Sequence, residues 1–234
     1  MDRFKGIADD YDLWMIIDSD YEPLHRRVIE LIRQGMGDIG EAPACVLEVG
    51  CGTGHTTEML LGIDDRLSIW AIDASQDMVT KTRNRFCDLP KTRLRVLYAD
   101  IVADNRFLER FRAVVSVFTM HNIQPCLRPT ACRRIFDSLE RGGFFITGDQ
   151  LPPDETREGD WFYQKWVDAL EKAKSDDLEH AGVFDFWLNH TIEDSERRLT
   201  EDAQAEMLEA AGFIEITLHE RFGIYRIVTA RKPK

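Results

Sequence analysis

Positive charge is scarce in this chain: 30 Lys and Arg stand against 42 Asp and Glu, a formal net charge of −12. That disfavours a nucleic-acid partner, because phosphate binding rests on neutralisation by Lys and Arg. The local basic run Arg83, Arg85, Lys91, Arg93 and Arg95 reads as a solvated helix end and loop. Cysteine is also sparse. The five cysteines form no Cys-x-x-Cys pair, which leaves scattered reduced thiols and a cytoplasmic expectation. No apolar run approaches the roughly 20 residues that a bilayer span needs, so no membrane is expected. The opening Met-Asp-Arg-Phe-Lys-Gly leads into acids and not into an apolar run, unlike a secretory signal. Internal repeats and low-complexity tracts are missing too. What is present, 44% hydrophobic and 31% charged residues over 234 positions, is the composition of one soluble globular domain.

The chain is organised around Val46–Gly54, Val-Leu-Glu-Val-Gly-Cys-Gly-Thr-Gly. A short apolar run broken by Glu48 meets the alternating glycines Gly50, Gly52 and Gly54, and a helical pattern follows from His55 to Leu61. This predicts a buried strand entering a glycine turn that opens a helix. Glycines there allow a sharp bend and the close approach of a ligand. A second strand, Leu67 to Ile72, ends in Asp73, 19 residues past Gly54. An acid at that place can accept hydrogen bonds from a ribose diol. The dinucleotide pattern G-x-G-x-x-G fails in both registers, since its last position falls on His55 or Thr57. No Gly-Lys-Ser/Thr phosphate loop exists either. A tight strand–helix turn without a ligand is the plain alternative.

The remaining pattern, E-x-G-x-G-x-G, resembles the first motif of the class I S-adenosylmethionine (SAM) methyltransferases. SAM is a zwitterion with a sulfonium and no phosphate, so acids such as Glu48 and Asp73 suit it. The resemblance implies an α/β fold with a Rossmann-like, seven-stranded, mostly parallel sheet, an antiparallel last strand and helices on both faces. It implies SAM as cofactor and S-adenosylhomocysteine (SAH) as product. It also places cofactor contacts on Glu48, Gly50, Cys51, Gly52, Gly54, Asp73 and Ala74. Cys51 also reads as a small filler. Met78 would stand near the adenine, or in the core. Leu94 to Tyr98 predicts the third strand, after which Asp100 would bond the adenine amino group while Ile101 packs on its ring.

Residues 1–40 carry Phe4, Tyr11, Trp14 and Tyr21, then Leu24, Val28, Ile29, Leu31 and Ile32 at helical spacing, with Pro23 in the first turn. Tyr11-Asp12 before such a helix resembles the amino-terminal lid of small-molecule methyltransferases, with Tyr11 beside the cofactor and Trp14 beside the substrate. Plain packing of these aromatics on the sheet is the alternative. Ala113 to Phe118 reads as the central fourth strand. Phe118 would contact the cofactor, and His121 beyond it would face the transferred methyl. A neutral imidazole there suits a general base. The other reading of His121 is a strand-end residue bonded to backbone. Leu127 to Glu140 predicts a helix, and Leu-Glu-Arg-Gly-Gly-Phe-Phe-Ile resembles the family's glycine turn and fifth strand. No metal is expected.

Residues 150–200 depart from a minimal fold. Between 151 and 201 stand 14 acids and 6 bases, with Trp161, Tyr163, Trp166 and Trp187 among the aromatics. Two helices, Trp161 to Lys174 and Leu178 to His190, would form a cap over the cleft. Trp161, Tyr163 and Trp187 are its candidate substrate contacts, an aromatic stripe that reads equally well as core. Thr200 caps a helix from Glu201 to Ala211 that stops at Gly212. Strands from Ile214 and from Arg221 would pair antiparallel.

These features point to a methyltransferase for a small-molecule N- or O-nucleophile, cytoplasmic, with a homodimer left open. Phe118-Thr119-Met120 and the terminal hairpin are also similar to carboxy-SAM synthase, an enzyme linked to tRNA modification. That reading wants a cap arginine, and Phe186 to Ile192 has none, although Arg197 and Arg198 follow. A SAM-binding protein without turnover is the third reading.

Overall fold

The computed structural model describes residues 4, 7–8, 11–13, 18–37, 44–107, 111–152, 157–177, 179–197 and 199–234. Helix α1 is Tyr21–Met36, and its buried face, Leu24, Val28, Leu31 and Ile32, follows the helical period. Pro23 lies in its first turn, and Gly37 with φ +60° ends it. Gly35 lies in the last turn of the helix. A Cβ there would lie 2.5 Å from the Phe144 ring, so this glycine lets the helix sit close on the sheet. Trp14 lies outside the described residues.

Strand β1, Cys45–Val49, is followed by α2, His55–Leu61, then β2, Ser68–Asp73, α3, Gln76–Arg85, and β3, Leu94–Tyr98. Strand β4, Phe111–Val117, helix α4, Arg128–Ser138, and β5, Leu139–Gln150, complete the parallel part. The stretch expected to form a cap consists of α5, Arg157–Asp176, and α6, Ala181–Glu196. Helix α7, Glu201–Ala211, leads to β6, Ile214–Phe222, and β7, Tyr225–Arg231. Thr200 Oγ1 accepts from the Ala203 amide at 3.2 Å and Gly212 closes α7 in a left-handed conformation, as expected.

The sheet runs β3-β2-β1-β4-β5-β7-β6. Strands β1 to β5 are parallel, and β7 is antiparallel to both β5 and β6. Strand order reverses between β1 and β4, so a crevice opens at their carboxyl ends. Side chains alternate through the sheet. Val46 and Val115 face one layer with α1 and the cap residues Tyr163 and Trp187, whereas Leu47 and Val114 face the layer of α4 and α7. No helix among the described residues is long and apolar enough to cross a membrane.

Candidate active site

The glycine turn is built as much by what the chain needs as by what a ligand needs. Gly50 has φ +77°, and a Cβ on it would fall 2.0 Å from Thr119 Oγ1 at the end of β4. Gly52 has φ +52°, and a Cβ on it would meet nothing within 4 Å. The first glycine joins two strand ends, and the second opens onto space. The amides of Gly50 and Cys51 both donate to Ile72 O, at 2.8 and 3.0 Å, which ties the turn to β2.

Asp73 ends β2 with both oxygens engaged. Its Oδ2 accepts from the Gly52 amide at 2.9 Å and its Oδ1 from the Ser75 amide at 2.8 Å. These bonds hold the carboxylate at the rim in one orientation. At the next strand end, Asp100 Oδ1 accepts from the Val102 amide at 2.8 Å, leaving Asp100 exposed to the cleft and Ile101 buried beneath it. Between them lies a cavity of about 470 Å³, lined by Gly50, Gly52, Asp73, Ala74, Met78, Asp100, Ile101 and Phe118 among others. That volume lies within the usual span of small-molecule and cofactor sites. Phe4 and Tyr11 form part of its wall. Asp12, Tyr11's neighbour, clasps the glycine turn: Thr53 Oγ1 donates to Asp12 Oδ1 at 2.6 Å.

Glu48, Cys51 and Gly54 are not part of this lining. Glu48 shares the β1 face of Val46, so its side chain enters the helix layer, where Thr57 Oγ1 of α2 donates to it at 2.6 Å. Burial, reinforced by the Asp73 carboxylate, pushes Glu48 up to about 8. The Cys51 thiol is buried and held well above its ordinary value, which makes it a filler and not a nucleophile. A Cβ on Gly54 would approach Phe86 to 2.8 Å, so this glycine serves helix packing.

Phe118 leaves β4 with φ +51°, a conformation that costs a non-glycine residue energy. Its ring is stacked on Tyr21 at 5.3 Å and meets Tyr225 edge-on at 4.8 Å, which supplies the compensating contacts. The chain then turns through Met120–Asn122. Asn122 lines the cavity, while His121 is buried just behind it. His121 Nδ1 is hydrogen-bonded to Asp149 at the end of β5. Asp149 also accepts from the amides of Met120 at 2.7 Å, Thr119 at 3.2 Å and Gln150 at 2.8 Å. Buried Arg128 donates to the His121 carbonyl at 3.0 Å and fixes the turn from below.

Of the expected substrate contacts on the cap, none lines the cavity. Trp161 is 57% exposed on the outer face of α5. Tyr163 is buried in the core, and Trp187 packs behind Tyr11 with ring centroids 5.2 Å apart. A two-helix insertion must pack on the rest of the fold, and Tyr163 and Trp187 join the core that does so. Nothing local in the sequence marks Asp149, His190 or Asp194 as functional. The helix pattern ends at His190, but α6 runs on to Glu196, which places Asp194 one turn beyond His190 on the same face.

Residues 46–143 match the family model described as a methyltransferase domain. Methylphloroacetophenone synthase of Cladonia uncialis is 35% identical over 36% of this chain and 4% of that protein. Carboxy-S-adenosyl-L-methionine synthase of Campylobacter fetus subsp. fetus is 30% identical over 46% of this chain and 45% of its own length. The chain therefore spans less than half the length of either relative. The crystal structure of the CurJ carbon methyltransferase superposes on 100% of this chain and 62% of that one, with 15% identity and a TM-score of 0.72. The likeness is one of fold: the chain shares a Rossmann-like sheet, and its glycines Gly50 and Gly52 and the strand-end acids Asp73 and Asp100 stand at the switch in strand order.

Proposed function

We propose that the protein is a SAM-dependent methyltransferase that transfers a methyl group to a small-molecule N- or O-nucleophile. The observation that carries this reading is the pair of oriented carboxylates, Asp73 and Asp100, at successive strand ends around one cavity floored by Gly50 and Gly52. Asp73 is positioned for a ribose diol and Asp100 for an adenine amino group. The open face of Gly52 gives the amino-acid arm of the cofactor room to lie against the backbone. Methyl transfer needs the acceptor aligned with a carbon that the sulfonium already activates, and alignment alone supplies about 7–11 kcal/mol. Phe4, Tyr11, Asn122, Ile123 and Leu127 also line the cavity, and in this reading they surround the acceptor.

Calorimetry with SAH tests the cofactor assignment. Asp73→Ala should weaken binding by about 1.5–3 kcal/mol, the range for hydrogen bonds to a charged group. Unchanged affinity in a folded Asp73→Ala variant would remove Asp73 from the site. Incubation with SAM and a small-molecule extract then separates an enzyme from a mere binder, since only turnover releases SAH. The carboxy-SAM synthase reading is less well supported: Phe186 to Ile192 contains no arginine, and the Arg197 guanidinium is bonded to Glu193 at 2.8 Å.

A further inference from the structure

Behind the cavity wall, His121, His190 and Asp194 bring one potential ligand atom each close together. These three atoms lie within 4.8 Å of one another, and all three residues are buried. Asp194 Oδ2 is 3.6 Å from His121 Nε2 and 3.5 Å from His190 Nε2. Both spacings are long for hydrogen bonds. They are close to the roughly 3.3 Å that separates two donors each about 2.0–2.1 Å from one tetrahedral ion. From these observations we propose a binding site for a divalent transition-metal ion formed by His121 Nε2, His190 Nε2 and an Asp194 carboxylate oxygen.

Three independent features support it. The first is tautomer. Asp149 occupies His121 Nδ1, and the Asn122 amide nitrogen stands 3.0 Å from Nε2. Both neighbours specify a proton on Nδ1 and a lone pair on Nε2, the tautomer that ligates metal; the Asn122 amide donates to that lone pair and would turn away when an ion takes it. A carboxylate on the far nitrogen of a ligating histidine is also the usual outer partner that fixes ring orientation. Asp149 is itself held by three backbone amides.

The second is spacing. His190 and Asp194 are one helical turn apart on α6, so both side chains leave the same face. The third ligand comes from the turn after β4, so an ion would join the cap to the sheet. The third feature is the surrounding shell. The His190 ring stacks on Phe186 at 5.6 Å and meets Trp187 at 5.5 Å and Phe4 at 5.4 Å. Such an apolar collar limits water around the site.

Two imidazoles and one carboxylate suit zinc, iron(II), cobalt(II) or manganese(II), and leave at least one coordination position for water or an oxygen of a bound molecule. Ligation also changes the part His121 can play. A nitrogen whose lone pair is held by a metal cannot take a proton, so ligand and general base are exclusive roles for Nε2.

The test uses the full chain, stripped with a chelator and titrated with Co²⁺ in the absence of SAM, so its outcome is separate from that of the methyl-transfer reading. One equivalent should bind and give the intense visible bands of a four- or five-coordinate ion. Zn²⁺ should displace it and raise the melting temperature. In Asp194→Ala and His190→Ala the bands should vanish and the thermal shift should disappear, whereas His219→Ala, at a histidine outside this cluster, should retain both. A weak six-coordinate spectrum in the wild type, or bands of equal strength in the folded variants, would overturn the site. If either variant fails to fold, X-ray absorption of the wild-type cobalt form decides: two imidazoles in the first shell support the assignment, and none refutes it.

Discussion

The glycine-turn wall of the cleft and the cap behind it are held together in different ways. On the first, each important group sits at the end of a strand, and the backbone of the next few residues orients it. Asp73 is fixed by Gly52 and Ser75, and Asp100 by Val102. On the second, Tyr11, His121 and the α6 pair Trp187 and His190 come from three distant segments, and side-chain packing brings them together. The first wall is thus rigid through local hydrogen bonds. The second is only as stable as its aromatic core.

If that contrast is right, the largest loss should come from removing the centre of the cap. Trp187→Ala should destabilise the protein by about 3–5 kcal/mol, the range for a buried tryptophan. SAH affinity should fall with it, because Tyr11 loses its backing. A thermal melt with an unaltered midpoint would show that the cap is not held by this core. Gly50→Ala attacks the other wall, forcing a Cβ onto Thr119 at a left-handed φ. It should cost about 2–4 kcal/mol of stability from strain and overpacking. Gly52→Val puts its side chain into open space, although its φ of +52° strains a branched residue, so binding is read on the folded protein. That variant should bind SAH at least tenfold more weakly. Normal affinity in a folded Gly52→Val protein would mean that the space is not used.

A smaller effect, confined to a pH window, should come from Glu48. Its carboxyl sits at about 8 in the folded chain, above its ordinary value of 4.5. The folded state therefore keeps its proton where the unfolded state has lost it. The stabilisation is complete below about pH 4.5 and declines as pH rises toward 8. Denaturant midpoints of wild type and Glu48→Gln should diverge across that interval, with the variant lacking this decline. The smallest effect belongs to Trp161→Ala, within about 0.5 kcal/mol, because the side chain lies on the outer surface.

The same contrast explains what the sequence discloses. The glycine turn, Asp73 and Asp100 are legible because strand, turn and helix follow one another within a few residues. Helices such as His55–Leu61 and Glu201–Ala211 have clear boundaries for the same reason. Glu48 shows where a motif misleads: its presence before the glycines is plain, but its direction follows from period-two alternation, which sends it under α2. The cap aromatics are visible as residues, yet nothing local says whether they face a cavity or each other. Asp149 and Asp194 are harder still. One lies at a strand end among many acids, and the other lies past a helix boundary blurred by Thr191-Ile192-Glu193.

The order of strands has a consequence for how the molecule comes to exist. Strand β7 follows β6 in the chain but lies between β6 and β5 in the sheet. During synthesis β6 therefore emerges without a neighbour to receive it, and β5 presents an open edge until Tyr225–Arg231 arrives. An unpaired edge is a template for association with other chains. Translation that stalls before residue 225 should leave a nascent product with its five parallel strands in place and one sticky side, a natural client for a chaperone. The domain would close only when its latest strand slots into an interior position.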